Sequence, residues 1–259
     1  MTLSRLAAGE FERVRPLIPG GIGHVSFSHA VLDGTMPGQV WVDDPIVSRT
    51  AIVMSDADFC LAYGEPRAGL VREALPAMLA ASAAEKPELW ATSDGWADAL
   101  AFIGPRRYRN EFHFDGLPAT ATRRDLPPGY RLAALTAALA ASFASAGVDP
   151  WVVRIWGGPE RFAAEAFGWA VLTDDGRLAS FCTTCSIGGG EAEIEIGTAD
   201  GHRRRGLAAV AGARFIESCI EGSLRPAWTC ASNNAGSNRL AELLGFRFTR
   251  KIAGYPLRA

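Results

Sequence analysis

The sequence predicts an α/β protein in which mixed sheets are flanked by helices. Three observations carry that prediction. Strand-like and helix-like stretches alternate through both halves of the chain. A stretch rich in Pro, Gly and Thr, DGLPATATRRDLPPGYR at 115–131, interrupts the alternation and reads as a linker. HRRRGLA, at 202–208, stands between a strand-like and a helix-like segment, where a phosphate-binding turn is found. The expected organisation is a smaller mixed α/β domain at 1–120 and a second domain at 126–259.

In the first half, Leu3 to Val14 reads as a helix. HVSFSHAVL and QVWVD alternate as strands do, and AIVMSDADFCLAY reads as a hairpin. RAGLVREALPAMLAASAA is helical, with a bend expected at Pro76. ELWATS and RRYRNEFHF read as strands around a short helix near Trp96. In the second half, LAALTAALAASFASA and ERFAAEAFG read as helices. WAVLTDDGRLASFCTTCSI reads as a hairpin turned by Asp174, Asp175 and Gly176. EAEIEIGTA is a strand, and the arginine turn leads to a helix ending near Glu221. RPAWTCAS is a strand, SNRLAELLGF a helix, and RFTRKIAGYPL a final strand pair.

Composition bounds the function classes. The 259 residues are 48% hydrophobic and 21% charged, with a net charge of −2. Such a balance gives no global basic field for nucleic acid. No apolar run reaches the length of a membrane span, and the first residues lack a signal-peptide core, so a cytoplasmic protein is expected. The five cysteines, an odd and sparse set, suggest thiols rather than a disulfide framework. CTTC at 182–185 has half a zinc spacing but no second Cys/His pair, so no metal is expected.

The chemistry concentrates around the arginine turn. A helix N-terminus already carries positive partial charge and unbonded N–H groups, so added arginines are unfavourable unless an anion sits there. Gly206 lets the backbone approach a ligand and Ala208 keeps the first helical turn slim, which together make a pyrophosphate cradle. In the strand before it, period-two alternation puts Glu191, Glu193 and Glu195 on one face. Either that face lines a wet cleft, where a crowded carboxylate suits a general base, or the acids pair with cations.

The turn matches the Gln/Arg-x-x-Gly-x-Gly/Ala signature, with Arg203, Gly206 and Ala208 in register. NAGSNRLAELLGF resembles a later Asn-x-x-Ser/Ala-x-x-Leu-Tyr-x-x-Leu-Gly-Phe element through Asn234, Ser237, Leu240, Leu244, Gly245 and Phe246. Together these elements resemble the GNAT superfamily of acyl-CoA-dependent N-acyltransferases over roughly 126–257. GQVWVDDP, FGWAVLTDDGRLASFC, GEAEIEIGT and LAELLGF are similar to the branch that includes zwittermicin-A-resistance-type acetyltransferases.

The resemblance implies a GNAT fold in the C-terminal half, and the first half hints at a second, degenerate GNAT-like unit. It implies acetyl-CoA as co-substrate, with the amides of Arg203, Arg204, Arg205, Gly206, Leu207 and Ala208 on the pyrophosphate. The backbone of Ile196, Gly197 and Thr198 would bond the pantetheine arm where two strands splay, and Asn234 would contact the same arm. Glu193 is the implied base or water relay, with Glu195 the competing carboxylate. The family's frequent general acid, a tyrosine, is replaced by Ala241, and Ser237 is the candidate to hold a water instead. The expected activity is acetyl transfer to a primary amine of a small molecule by direct attack. Rival readings are a CoA-binding sensor without transfer activity and a protein-lysine acetyltransferase. The first half is expected to set acceptor choice without touching CoA phosphates; monomer and homodimer both stay open.

Overall fold

The structure is a computed structural model that describes residues 2–21, 23–104, 106–122 and 124–257, Thr122 by its backbone alone. The chain forms two compact units: Met1–Glu111 with Thr229–Asn233 and Thr249–Ala259, and Phe112–Trp228 with Asn234–Phe248.

In the first unit the chain runs through β1 (Ser4–Arg5), a 3₁₀ helix (Ala8–Leu17), α1 (Val25–Leu32), β2 (Gly38–Val42), β3 (Thr50–Ser55) and β4 (Phe59–Gly64). It continues through α2 (Ala68–Ala81), β5 (Glu88–Ala91) and α3 (Asp94–Ala99). β6 (Arg107–Phe114) crosses into the second unit. There follow α4 (Ala119–Thr122), β7 (Tyr130–Ala134), α5 (Ala137–Ala141), α6 (Trp151–Ile155) and α7 (Pro159–Glu165). β8 (Gly168–Thr173), β9 (Leu178–Gly188), β10 (Glu191–Thr198), α8 (Leu207–Glu221), β11 (Arg225–Ala231), α9 (Ala235–Leu243) and β12 (Phe246–Pro256) complete the chain.

The two units repeat one arrangement. In the first, β2, β3 and β4 form an antiparallel meander, and α2 carries the chain to β5, parallel to β4. In the second, β8, β9 and β10 form the meander, and α8 leads to β11, parallel to β10. The second unit's sheet has the order β11-β10-β9-β8-β7. In the first unit the outer neighbour of β5 is the end of the chain: Gly254, Tyr255 and Pro256 of β12 pair antiparallel with Trp90, Leu89 and Glu88.

Apolar layers cover both faces of the first sheet. Val71, Ala74, Met78, Trp96 and Tyr255 pack on the α2 and α3 side. Phe11, Val14, Val31, Trp90 and Ile252 pack on the α1 side. In the second unit α8 buries Leu207, Ala211, Phe215, Ile216 and Cys219. Phe215 stacks on Phe167 at 4.9 Å, and Phe143 meets Phe181 at 4.6 Å.

Four local expectations fail. VSFSHAVL is helix α1, not a strand. Its serines are as buried as its apolar residues, and Ser28 accepts a 2.7 Å bond from the Tyr63 hydroxyl, so the alternation does not separate core from solvent. Leu3–Val14 is not one helix: Ser4–Arg5 pairs with β2, and a 3₁₀ helix begins at Ala8. The apolar run from Leu132 splits at Thr136, whose side chain caps α5 and leaves β7 to pair with β8. RFTRKIAGYP belongs to the single strand β12, with Leu257 just beyond its end. A Cβ on Gly254 would come within 2.5 Å of the Trp90 ring, so the glycine serves close packing rather than a turn.

Candidate functional site

β10 delivers the chain to the arginine turn. Ala199 N–H donates to Ala179 O at 2.9 Å and His202 N–H to Ala199 O at 3.1 Å, which folds the loop back on itself. Arg204 and Gly206 both take left-handed backbone, at φ +62° and +80°. That conformation is sterically costly for the arginine and open to the glycine. Gly206 is the N-cap of α8 and supplies no side-chain cap. The α9, α5 and α3 N-termini are, by contrast, capped by Asn234, Thr136 and Ser93. Intrahelical bonding in α8 starts with Ala209 and Val210 N–H on Gly206 O, so the N–H groups of Leu207 and Ala208 precede the ladder.

This uncapped end opens into a cleft of about 500 Å³. Of the anticipated cofactor residues, Thr198, Arg204, Gly206, Leu207 and Ala208 line it. Arg203 and Arg205 do not: Arg203 pairs with Asp200 at 2.9 Å and donates to Thr198 O, and Arg205 donates to Gly201 O at 3.4 Å. Two other arginines take their place, Arg124 from the linker stretch and Arg239 from α9. The Arg124 guanidinium lies 3.5 Å from where a Gly206 Cβ would stand, so even a methyl group there would touch it. His202 also lines the cleft, its Nδ1 hydrogen-bonded to the Tyr130 hydroxyl at 2.9 Å. No carboxylate is among the lining residues.

β10 changes character along its length. Its ladder with β11 covers only Glu191–Glu193 against Arg225–Ala227, whereas its ladder with β9 continues to Thr198. From Ile194 onward that outer edge carries no ladder to β11. Ile196, Gly197 and Thr198 therefore lie on an open strand edge. On the β9 side, Ser180 Oγ donates to Gly197 O at 2.8 Å and meets Thr198 Oγ1 at 2.9 Å. A Cβ on Gly197 would lie 2.5 Å from the Phe181 ring.

The three acids of β10 do not share one wet face. Glu191 is buried in an ion pair with Arg225. Glu193 is 2% exposed, at the last rung before the edge opens. Glu195 is half-buried, and its charge adds to the burial that holds the Cys182 thiol well above its ordinary pKa. Asn234 Oδ1 accepts from Ser237 N–H at 3.1 Å, so that oxygen is used in capping α9. Ser237 is half-buried, and Ala241 one turn later is wholly buried. The five cysteines are buried, and among the described residues no His/Cys/Asp/Glu group is arranged to hold a metal.

The sequence marked the turn but missed Arg124 and Arg239. Arg239 sits inside the second motif, at a position where that motif specifies nothing. Arg124 sits in a stretch without periodicity, where only its charge is visible.

The description GNAT acetyltransferase matches residues 22–255. The chain belongs to the GNAT acetyltransferase family. An uncharacterized N-acetyltransferase of Bacillus subtilis strain 168, YdfB, is 27% identical over 242 residues, 89% of each chain. An uncharacterized N-acetyltransferase of Streptomyces virginiae is 30% identical over 191 residues, 73% of this chain and 76% of that one. Among solved structures, a GCN5-related N-acetyltransferase-like protein from Streptococcus suis has a TM-score of 0.75 at 22% identity, covering 96% of this chain and 99% of the other. A tandem GNAT protein from the clavulanic acid biosynthesis pathway has a TM-score of 0.62 at 16% identity, covering 99% and 98%. Both share the fold. This GNAT protein is an acyl-CoA-dependent N-acetyltransferase. No helix in its described residues is long and apolar enough to cross a membrane.

Proposed function

We propose that the enzyme moves an acetyl group from acetyl-CoA to the primary amine of a small molecule, by direct attack in a ternary complex. The observation that carries this reading is the uncapped α8 N-terminus, opening into a cleft lined by Arg124, Arg204 and Arg239 and by no carboxylate. Orphan N–H groups, a positive helix end and clustered guanidiniums together suit a pyrophosphate. When bound, acetyl-CoA supplies the activated acetyl thioester.

The chain's own residues do the rest. The backbone of Arg203–Ala208 holds the diphosphate. The open β10 edge at Ile196, Gly197 and Thr198 offers strand hydrogen bonds to an amide-bearing arm and orients the acyl carbonyl. Glu193 would take a proton from the acceptor ammonium, directly or through water, so that the free amine can form the amide bond as the C–S bond breaks and CoA leaves as a thiolate to be reprotonated from water; Glu195 is the competing choice. Ser237 holds a water near the position where the family tyrosine is absent, and Asn234 offers its amide N–H groups to the cofactor arm. The narrower likeness to the zwittermicin-A-resistance-type branch supports a small acceptor, and the odd, sparse set of five cysteines supports a cytoplasmic setting.

Gly206→Glu tests the cradle. It puts a negative side chain against Arg124 and the helix end, and calorimetry should show acetyl-CoA affinity at least about tenfold weaker, ~1.4 kcal/mol. Unchanged affinity would make the turn an ordinary basic loop. A second reading, a CoA-binding sensor, is favoured by one observation: Ala241 is 0% exposed and brings no proton donor. Thioester turnover with a panel of amines separates the two, because a sensor binds the cofactor without consuming it.

A further inference from the structure

The first unit repeats the strand, turn and helix of the cofactor site, yet fills that turn with its own chain. A Cβ on Gly64 would lie 1.9 Å from Arg49 O, and Glu65 N–H donates to that same oxygen at 2.8 Å. Arg67 pairs with Glu65 at 2.8 Å and Asp43 at 3.5 Å, which puts two carboxylates at the α2 end. Trp96 Nε1 donates to Gly64 O and Thr92 Oγ1 to Ala62 O. The β4–β5 ladder runs to Ala62 and Ala91, so no strand edge opens before it. This turn is closed to a second cofactor.

Three cations of that unit gather elsewhere. A cleft of about 440 Å³ beside α3 and β12 is lined by Arg106, Arg250 and Lys251 against one carboxylate, Asp94. Both guanidiniums are anchored from behind. Arg250 donates through Nε and Nη2 to buried Glu111 and through Nη1 to Thr92 O at 3.2 Å. Arg106 Nη2 donates to Ala97 O at 3.0 Å and meets Asp98 at 3.3 Å. A guanidinium has five N–H donors, so each keeps donors beyond these bonds. Lys251, one of only two lysines in the chain, makes no ion pair among the described residues. The hydroxyls of Ser93 and Tyr108 complete the polar lining. Arg106 and Arg250, each anchored by its own acid yet keeping spare donors, stand beside Lys251, which has no such acid among the described residues, and together they make a preorganised site for one negative group.

We propose that this cleft binds a small molecule bearing a carboxylate or phosphoryl group, independently of the cofactor cleft. The test is calorimetric titration of inorganic phosphate, and separately of succinate, into the full chain at constant ionic strength, since screening alone would shift weak anion binding. Wild type, Lys251→Glu and Arg239→Glu are compared, with Lys251→Ala as a second variant should the charge reversal disturb folding. The expected result is saturable binding of at least one probe, at least about tenfold weaker in Lys251→Glu and retained in Arg239→Glu. Whichever probe binds more tightly assigns the oxyanion. No saturable binding, or binding lost in Arg239→Glu and kept in Lys251→Glu, overturns the proposal; equal loss in both would reduce it to the net charge of the protein. Acetyl-CoA titrated into the same proteins keeps the two readings apart: its affinity should fall in Arg239→Glu and stay unchanged in Lys251→Glu.

Discussion

Arg124 reaches the turn from a loop and lies against Gly206, close enough to share an anion with the α8 N-terminus. Its removal leaves the fold alone, because the side chain is exposed. Arg124→Ala should therefore weaken acetyl-CoA binding about tenfold, ~1.4 kcal/mol, with an unchanged melting curve and a deficit that shrinks as salt is raised. Calorimetry at two salt concentrations checks this. Glu193 tests the chemistry. Glu193→Gln should lower kcat with little change in acetyl-CoA affinity, and the acidic limb of the pH–rate profile should move or vanish. Wild-type behaviour there, with Glu195→Gln impaired, would transfer the role to Glu195. The motif made Gly206 and Ala208 legible, since backbone geometry demands those residue types at fixed spacing. Arg124 was illegible for the opposite reason: a loop arginine obeys no period, and only the fold says what it touches.

At the scale of elements, β9 and β10 show how much a single glycine decides. Gly197 faces the Phe181 ring with no room for a methyl group, and that ring is 2% exposed in the core. Gly197→Ala should destabilise the protein by about 1–3 kcal/mol through overpacking. A lowered thermal midpoint is the readout, and an unchanged one would mean the ring moves aside freely. The order of β8, β9, β10, α8 and β11 could be read from the sequence, because alternation, the Asp-Asp-Gly turn and one long apolar helix each point the same way. α1 could not. Its serines are buried, and Ser28 is bonded by Tyr63, so polarity does not report exposure there and a helical stretch alternates as a strand does. β7 is hidden inside an apolar run because its alanines, strong helix formers, continue the helical pattern across Thr136, the cap that divides strand from helix.

Across the whole molecule, the linker at 115–131 suggested that residues 126–259 would stand alone. The last strand gives a different expectation for that fragment. Gly254–Pro256 pairs with β5, and Ile252, Ala253, Tyr255 and Leu257 are buried in the first unit's core. Cutting away the first 125 residues exposes these side chains, at about 1.5–3 kcal/mol for each large one. The 126–259 fragment should be aggregation-prone or melt well below the intact chain; a fragment as stable as the intact protein would show that the second unit does not depend on this strand. Linear sequence could not reveal the arrangement, because a strand's neighbours are set by sheet order and not by proximity along the chain.

The same strand carries a consequence for the protein's birth. β5 ends at Ala91 and the segment of β12 that pairs with it begins at Gly254, 163 residues later (254 − 91). At a ribosome's pace of about 5–20 residues per second, the nascent first unit waits roughly 8–33 s with the outer edge of β5 unpaired. An open edge is a template for another chain. The risk of misassembly is thus greatest during synthesis, when neighbouring polysomal chains present the same bare edge together, and it ends when the final strand docks.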